Sequence, residues 1–279
     1  MRRLVVKWLA VVICGAGVPE FAASETWLED PASGCALWSS DASAPGETVS
    51  WQGACVDGKA SGVGVAVWHD DDGLAYRVLG EMRGGKLNGD ATVLFRDDIG
   101  GYSRYSGAFV EGKPTGEGTL VGSNGFRFRG ELIEGISHGR GTLSAPDGSM
   151  VRGEIKDGKT VGTAFAYYET KEGETYFGEV LDGKRDGHGI LLMPDDNFYF
   201  GEFRDGEPAG YGSFLGVESG DYVGAFAGGK PNGHGTYVAP DGATYQGRFV
   251  DGKPDGLVLV TSAEGKQSTE TWSNGEKVE

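Results

Sequence analysis

Nine times between residues 49 and 262 the chain returns to one pattern, an aromatic or branched residue, one spacer and a glycine, and that recurrence fixes most of what it can fold into. The glycines are Gly53, Gly80, Gly107, Gly130, Gly153, Gly178, Gly201, Gly224 and Gly247, separated by 27, 27, 23, 23, 25, 23, 23 and 23 residues. A fixed period of about 20 to 50 residues is the mark of a repeat architecture. Two positions before these glycines stand Trp51, Val78, Tyr105, Phe128, Val151, Tyr176, Tyr199, Tyr222 and Tyr245; two after stand Cys55, Met82, Phe109, Leu132, Ile155, Val180, Phe203, Phe226 and Phe249. Every unit has glycine again five and nine positions on, and six units have it eleven on. These four columns take 33 of the 51 glycines, so a glycine content far above the usual level of about 7% belongs to the repeat.

Apolar positions two apart lie on one face of a strand. Tyr105, Gly107 and Phe109 therefore open a strand, while the residues between them, such as Arg129 and Glu131 or Phe177 and Glu179, are mostly polar and face the other way. Asp-Gly or Glu-Gly follows in seven units and supplies the positive φ angles of a tight hairpin turn. A second strand with a Gly-x-Gly start completes the unit, so each unit reads as one β-hairpin. Glycine inside a strand weakens it and marks a close approach to the backbone. Sharing a face with the aromatic column, these glycines predict rings lying flat on bare backbone from one strand to the next.

The phrases YSGAFVEGKPTGEG at 105–118 and YQGRFVDGKPDG at 245–256 resemble the MORN (membrane occupation and recognition nexus) repeat, over roughly three quarters of the chain. That resemblance implies an all-β fold: an elongated, single-layer, twisted antiparallel meander of about nine stacked hairpins, used as a scaffold or binding module and often dimeric. Strand spacing puts each repeat at about 10 Å and nine of them at about 85 Å. Departures from the pattern are Val78 and Val151 in the ring column, and Ala91, Ala164 and Val258 for the last glycine.

The ends read differently. Residues 1–24 carry Arg2, Arg3 and Lys7, an apolar run from Trp8 to Val18 and a small-residue end, the layout of a cleaved secretory signal, with an uncleaved membrane anchor as the alternative. Residues 25–48 form an N-terminal cap segment, 49–262 the nine repeats, and 263–279 a C-terminal half-repeat with Trp272 in the column of Phe249. Cleavage would remove three positive charges and Glu20 and move the formal net charge from −16 to −18. Such acidity disfavours nucleic acid and anionic membrane surfaces, which need a basic footprint. It leaves Cys35 and Cys55 as the only cysteines, and in an oxidising compartment they are expected to pair. The protein is thus expected to be exported, either periplasmic or secreted.

Chemistry is scarce. His188 and His234 share one column two units apart, about 20 Å, too far to hold one metal ion, and His69 and His138 lie elsewhere. Lysine follows the turn glycine in seven units, which neutralises the acidic edge locally. The Asp70, Asp71, Asp72 run lacks the alternating pattern of a calcium loop. No nucleophile motif, phosphate loop or zinc spacing occurs, so neither a catalytic residue nor a cofactor nor a metal is expected. The expected function is a non-enzymatic scaffold that binds another protein or a second copy of itself. Its expected binding face is the ring column of Trp51, Tyr105, Phe128, Tyr176, Tyr199, Tyr222 and Tyr245. The alternative is a cell-envelope glycan or phospholipid laid along the same rings.

Overall fold

The computed structural model describes residues 26–39, 46–97, 99–156 and 159–278; the expected signal segment lies outside them. All regular structure among the described residues is β, in two compact units that divide at Val161 and Gly162.

Unit 1 opens with a short hairpin, β1 (Thr26–Glu29) and β2 (Ala36–Ser39). The repeat hairpins follow as β3 (Thr48–Val56) with β4 (Lys59–Asp70), β5 (Gly73–Arg83) with β6 (Lys86–Arg96), and β7 (Tyr102–Val110) with β8 (Lys113–Val121). β9 (Arg127–Ile133), β10 (Ile136–Ser144) and β11 (Met150–Lys156) complete it. In unit 2 come β12 (Lys159–Glu169), β13 (Thr175–Leu181), β14 (Lys184–Leu192), β15 (Phe198–Arg204), β16 (Glu207–Leu215) and β17 (Asp221–Ala227). β18 (Lys230–Val238), β19 (Thr244–Val250), β20 (Lys253–Thr261), β21 (Gln267–Ser273) and β22 (Glu276–Lys277) end the chain. Within each unit every repeat strand pairs antiparallel with its sequence neighbour, which is the meander the repeat predicts.

The turns obey their sequence. At Asp205-Gly206 both central residues have positive φ, 51° and 100°, the geometry that matches the twist of a hairpin. The turn glycine N–H then reaches the preceding repeat: Gly206 N donates to Arg185 O at 2.8 Å and Gly252 N to Pro231 O at 2.8 Å. Proline suits that accepting position, where only a carbonyl is used.

Where their pairing is described, the repeat hairpins are interrupted around the first glycine, as at Gly178/Val180 and Gly224/Phe226. The glycine nine positions on sits in this interruption. Gly210, at φ 58°, is one instance; a side chain there would strain the backbone. What the sequence presents as the start of a regular second strand is therefore a bulge. Glutamates close it from the other face: Glu179 Oε2 accepts from His188 N at 2.7 Å, and Glu202 Oε1 from Tyr211 N at 3.1 Å.

Cys35 and Cys55 form a disulfide with Cα atoms 5.8 Å apart. It fastens β1 and β2 along the turns of the first repeats. Ala36 N donates to Gly58 O at 2.8 Å, Trp38 N to Gly85 O at 2.9 Å, and the Trp38 ring lies against Gly112. Turn carbonyls are ready acceptors, and bare turn glycines leave room for a ring; those two facts draw the segment there. Cys35 and Leu37 are fully buried by it. Cys35→Ser is expected to lower unfolding free energy by about 3 kcal/mol, from a closed loop of about 20 residues. Urea titration with and without reductant checks this: reduction should destabilise the parent and leave the variant unmoved.

The longer connections are also built. Asp70, nearly inaccessible, receives Arg96 Nη2 at 2.6 Å, while Arg96 Nη1 donates to Asp72 O at 2.8 Å. In the 167–176 connection Arg185 donates to Glu174 Oε2 at 2.6 Å and to Tyr168 Oη at 3.1 Å, with its guanidinium 5.2 Å from the Tyr176 ring centroid. These pairs tie extended strands to the next repeat.

Candidate functional site

The ring column was the expected binding face, and the structure buries most of it. Tyr105 and Tyr176 are fully buried, Phe128 and Tyr199 are 1% exposed, Tyr222 3% and Trp51 5%; Tyr245 alone of the seven is half-buried. The cause is the glycine beneath each ring. Gly178 pairs with Gly189, Gly189 with Gly201, Gly201 with Gly212 and Gly212 with Gly224, so a strip of bare backbone runs across the strands. Tyr199 lies on Gly201 and Gly212, with its hydroxyl 2.6 Å from where a Cβ on Gly201 would stand. Its hydroxyl donates to Glu202 O at 2.8 Å inside the bulge, as Tyr176 does to Glu179 O at 2.6 Å and Tyr222 to Ala225 O at 3.2 Å. Trp51 reproduces the bond through Nε1 to Ala54 O at 2.8 Å.

The second column closes the other side of each ring. Phe203 stands edge-on to Tyr199 and Tyr176 with centroids 5.1 and 5.3 Å apart, and Phe226 does the same to Tyr222 and Tyr199 at 5.2 and 5.0 Å. Edge-to-face contact at this distance is the favourable arrangement for aromatic pairs. Burial raises these phenols: Tyr105, Tyr199 and Tyr222 are pushed up to about 12, and Tyr176 is raised further.

This zipper opens towards the end of unit 2. Tyr245 meets Trp272 edge-on at 5.7 Å, with Trp272 in the place that phenylalanine fills in preceding repeats, and Tyr237 stacks at a tilt on Tyr245 at 5.9 Å. Phe226, Phe249, Pro231 and Pro254 complete the walls of a groove of about 630 Å³, and none of its lining residues is charged. Tyr237 Oη is held by Ser219 O at 2.7 Å, so its ring is fixed in the wall.

The turn edges carry paired charges. Lysine and acid alternate along the turns, with Lys113 Nζ 3.0 Å from Glu134 and Lys184 Nζ 3.2 Å from Asp205. His188 Nδ1 lies 3.7 Å from Glu179, and among the described residues no three His, Cys, Asp or Glu side chains converge as a metal site.

What the geometry defines is an array of ring-on-glycine hairpins with an apolar groove in unit 2. The MORN repeat sequence profile matches it at residues 105–127, 128–150, 176–198, 199–218, 222–244 and 245–257. Six segments of the chain thus match the MORN repeat, and the units at Gly53, Gly80 and Gly153 lie outside them; two of these have Val78 and Val151 in the ring column. No curated protein sequence matches the chain significantly. Among solved structures it is similar to the SAS-4 (dCPAP) TCP domain of Drosophila melanogaster, in complex with a proline-rich motif of Ana2 (dSTIL). Identity is 13%, with 56% of this chain and 84% of that one covered and a TM-score of 0.33.

Proposed function

We propose that this chain is an exported, non-enzymatic repeat scaffold that holds a segment of another protein in the groove of unit 2. The observation that carries the reading is the break in the ring zipper: from Tyr176 to Tyr222 each ring is sealed by its neighbours, whereas Tyr237, Tyr245 and Trp272 remain half-buried around an uncharged apolar groove. Apolar walls with a few fixed polar tips favour a protein segment. A phospholipid head group would call for cations, and the lining supplies none. The disulfide supports export, because such bonds persist in oxidising compartments.

A photoreactive residue placed at Tyr237, with one at Thr236 on the opposite face as control, tests the groove in the native compartment. One discrete adduct to a different protein is expected from position 237 and no adduct to a different protein from 236. Binding of that partner should fall about thirty-fold in Tyr245→Ala or Trp272→Ala, the effect of losing an aromatic anchor worth about 2 kcal/mol. Saturable binding of a glycan or of phospholipid vesicles that is lost in Tyr245→Ala, with no protein adduct, would replace this reading by the envelope-ligand one.

A further inference from the structure

The face opposite the ring column is uneven in its chemistry. In unit 1 the residues in register across it are Gln52, Val65, Leu79, Thr92, Ser106, Thr119, Arg129, Thr142 and Arg152, polar from Thr92 on and without a ring throughout. In unit 2 the same row reads Tyr167, Phe177, Ile190, Phe200, Ser213 and Val223, one residue from each of β12 to β17. Phe177 and Phe200 are each 52% exposed, and Tyr167 and Val223 are also open to solvent. A parallel row adds Leu192, Phe198 and Leu215 in register on β14, β15 and β16. Nothing in the hairpin repeat requires rings here, since unit 1 does without them.

We propose that this face of unit 2 is the contact between two copies of the chain, related by a two-fold axis that runs along the strands between β14 and β15. The order of side-chain sizes argues for a second copy. Turned about that axis, the row meets itself in reverse, so that Tyr167 faces Val223, Phe177 faces Ser213 and Ile190 faces Phe200. Each large side chain then opposes a smaller one, and Leu192 faces Phe198 in the parallel row. Such self-complementarity is what an isologous interface demands, and aligned sheets stack face to face at about 10 Å.

Area agrees. A half-exposed ring presents about 100 Å², so the two rows and their margins offer on the order of 700 to 800 Å² per copy, the size of a standard specific interface. Both rows are uncharged from β13 to β16, and Glu169, in register with Thr175 on the parallel row, stands at their margin. This surface is separate from the groove, and either reading can fail without the other.

Sedimentation velocity across a concentration series tests it, with circular dichroism as a check on folding. The parent is expected to be dimeric at micromolar concentration, and Phe177→Glu or Phe200→Glu, each altering the contact twice, should weaken association at least a hundred-fold with an unchanged β spectrum. In the Cys14→Ser background, Phe177→Cys mixed with Ser213→Cys should cross-link through a short bismaleimide, while Ser213→Cys alone should not. A parent that stays monomeric at 100 times that concentration overturns the proposal. So does a dimer that Phe200→Glu leaves intact.

Discussion

Replacing Tyr199 by alanine is expected to cost about 4 kcal/mol of unfolding free energy, near the centre of the range for removing a buried ring. The site cannot collapse to fill the gap, because beneath the ring there is only the bare backbone of Gly201 and Gly212. Phe203 and Phe226 would each lose an edge-on partner, and the Glu202 carbonyl its donor. Tyr199→Phe keeps the ring and loses only the hydrogen bond, so it should cost about 1 kcal/mol. Urea unfolding followed by the fluorescence of Trp272 separates the two. Equal, small losses in both variants would mean that the rings are not what joins repeat to repeat.

A second large effect is expected in alkali. Tyr105, Tyr199 and Tyr222 are raised to about 12 by burial, and Tyr176 further still, against an ordinary value of 10.0. Below pH 10 both folded and unfolded chains keep these protons, and stability should not depend on them. Above pH 10 the unfolded chain releases protons that the folded chain still holds, so stability falls as pH rises and continues to fall through about 12. With four phenols acting together, the array should unfold cooperatively in that window. Denaturation midpoints and tyrosinate absorbance measured over the same pH series would show it, and each Tyr→Phe replacement at 176, 199 or 222 should flatten the slope. Should all the tyrosines titrate near pH 10 with the strands intact, the sealed-ring description is wrong.

The parts of this fold that follow from strictly local rules were legible. Asp-Gly and Glu-Gly dictate the turns, and apolar residues two apart dictate the strand, whatever surrounds them. The pairing of ring column with glycine column was legible too, because bare backbone in a strand demands a cover. Less could be read where one residue type serves two geometries. Gly187 and Gly189 look alike in sequence, yet Gly187 adopts φ 93° in a bulge and Gly189 lies flat under Tyr176. The exposure of the rings was not legible either, since it depends on Phe203 and Phe226 arriving from a neighbouring repeat to seal them. The groove exists where that supply changes, at Trp272, and the residue in that column marks the place. On the opposite face, Phe177 sits among Arg129 and Glu131 in a list of mostly polar spacers; only strand register brings it into line with Tyr167 and Phe200.

The link from each turn to the repeat before it also constrains how such a molecule can change length. In unit 2, Gly206, Gly229, Gly252 and Gly275 each donate to a carbonyl in an equivalent place one period upstream. A duplication of one full period would recreate every such bond, whereas a fragment of a period would leave a donor facing the wrong atom. Lengthening or shortening by whole modules therefore keeps the ladder intact, and the Asn274-Gly275 turn repeats the same bond to Pro254.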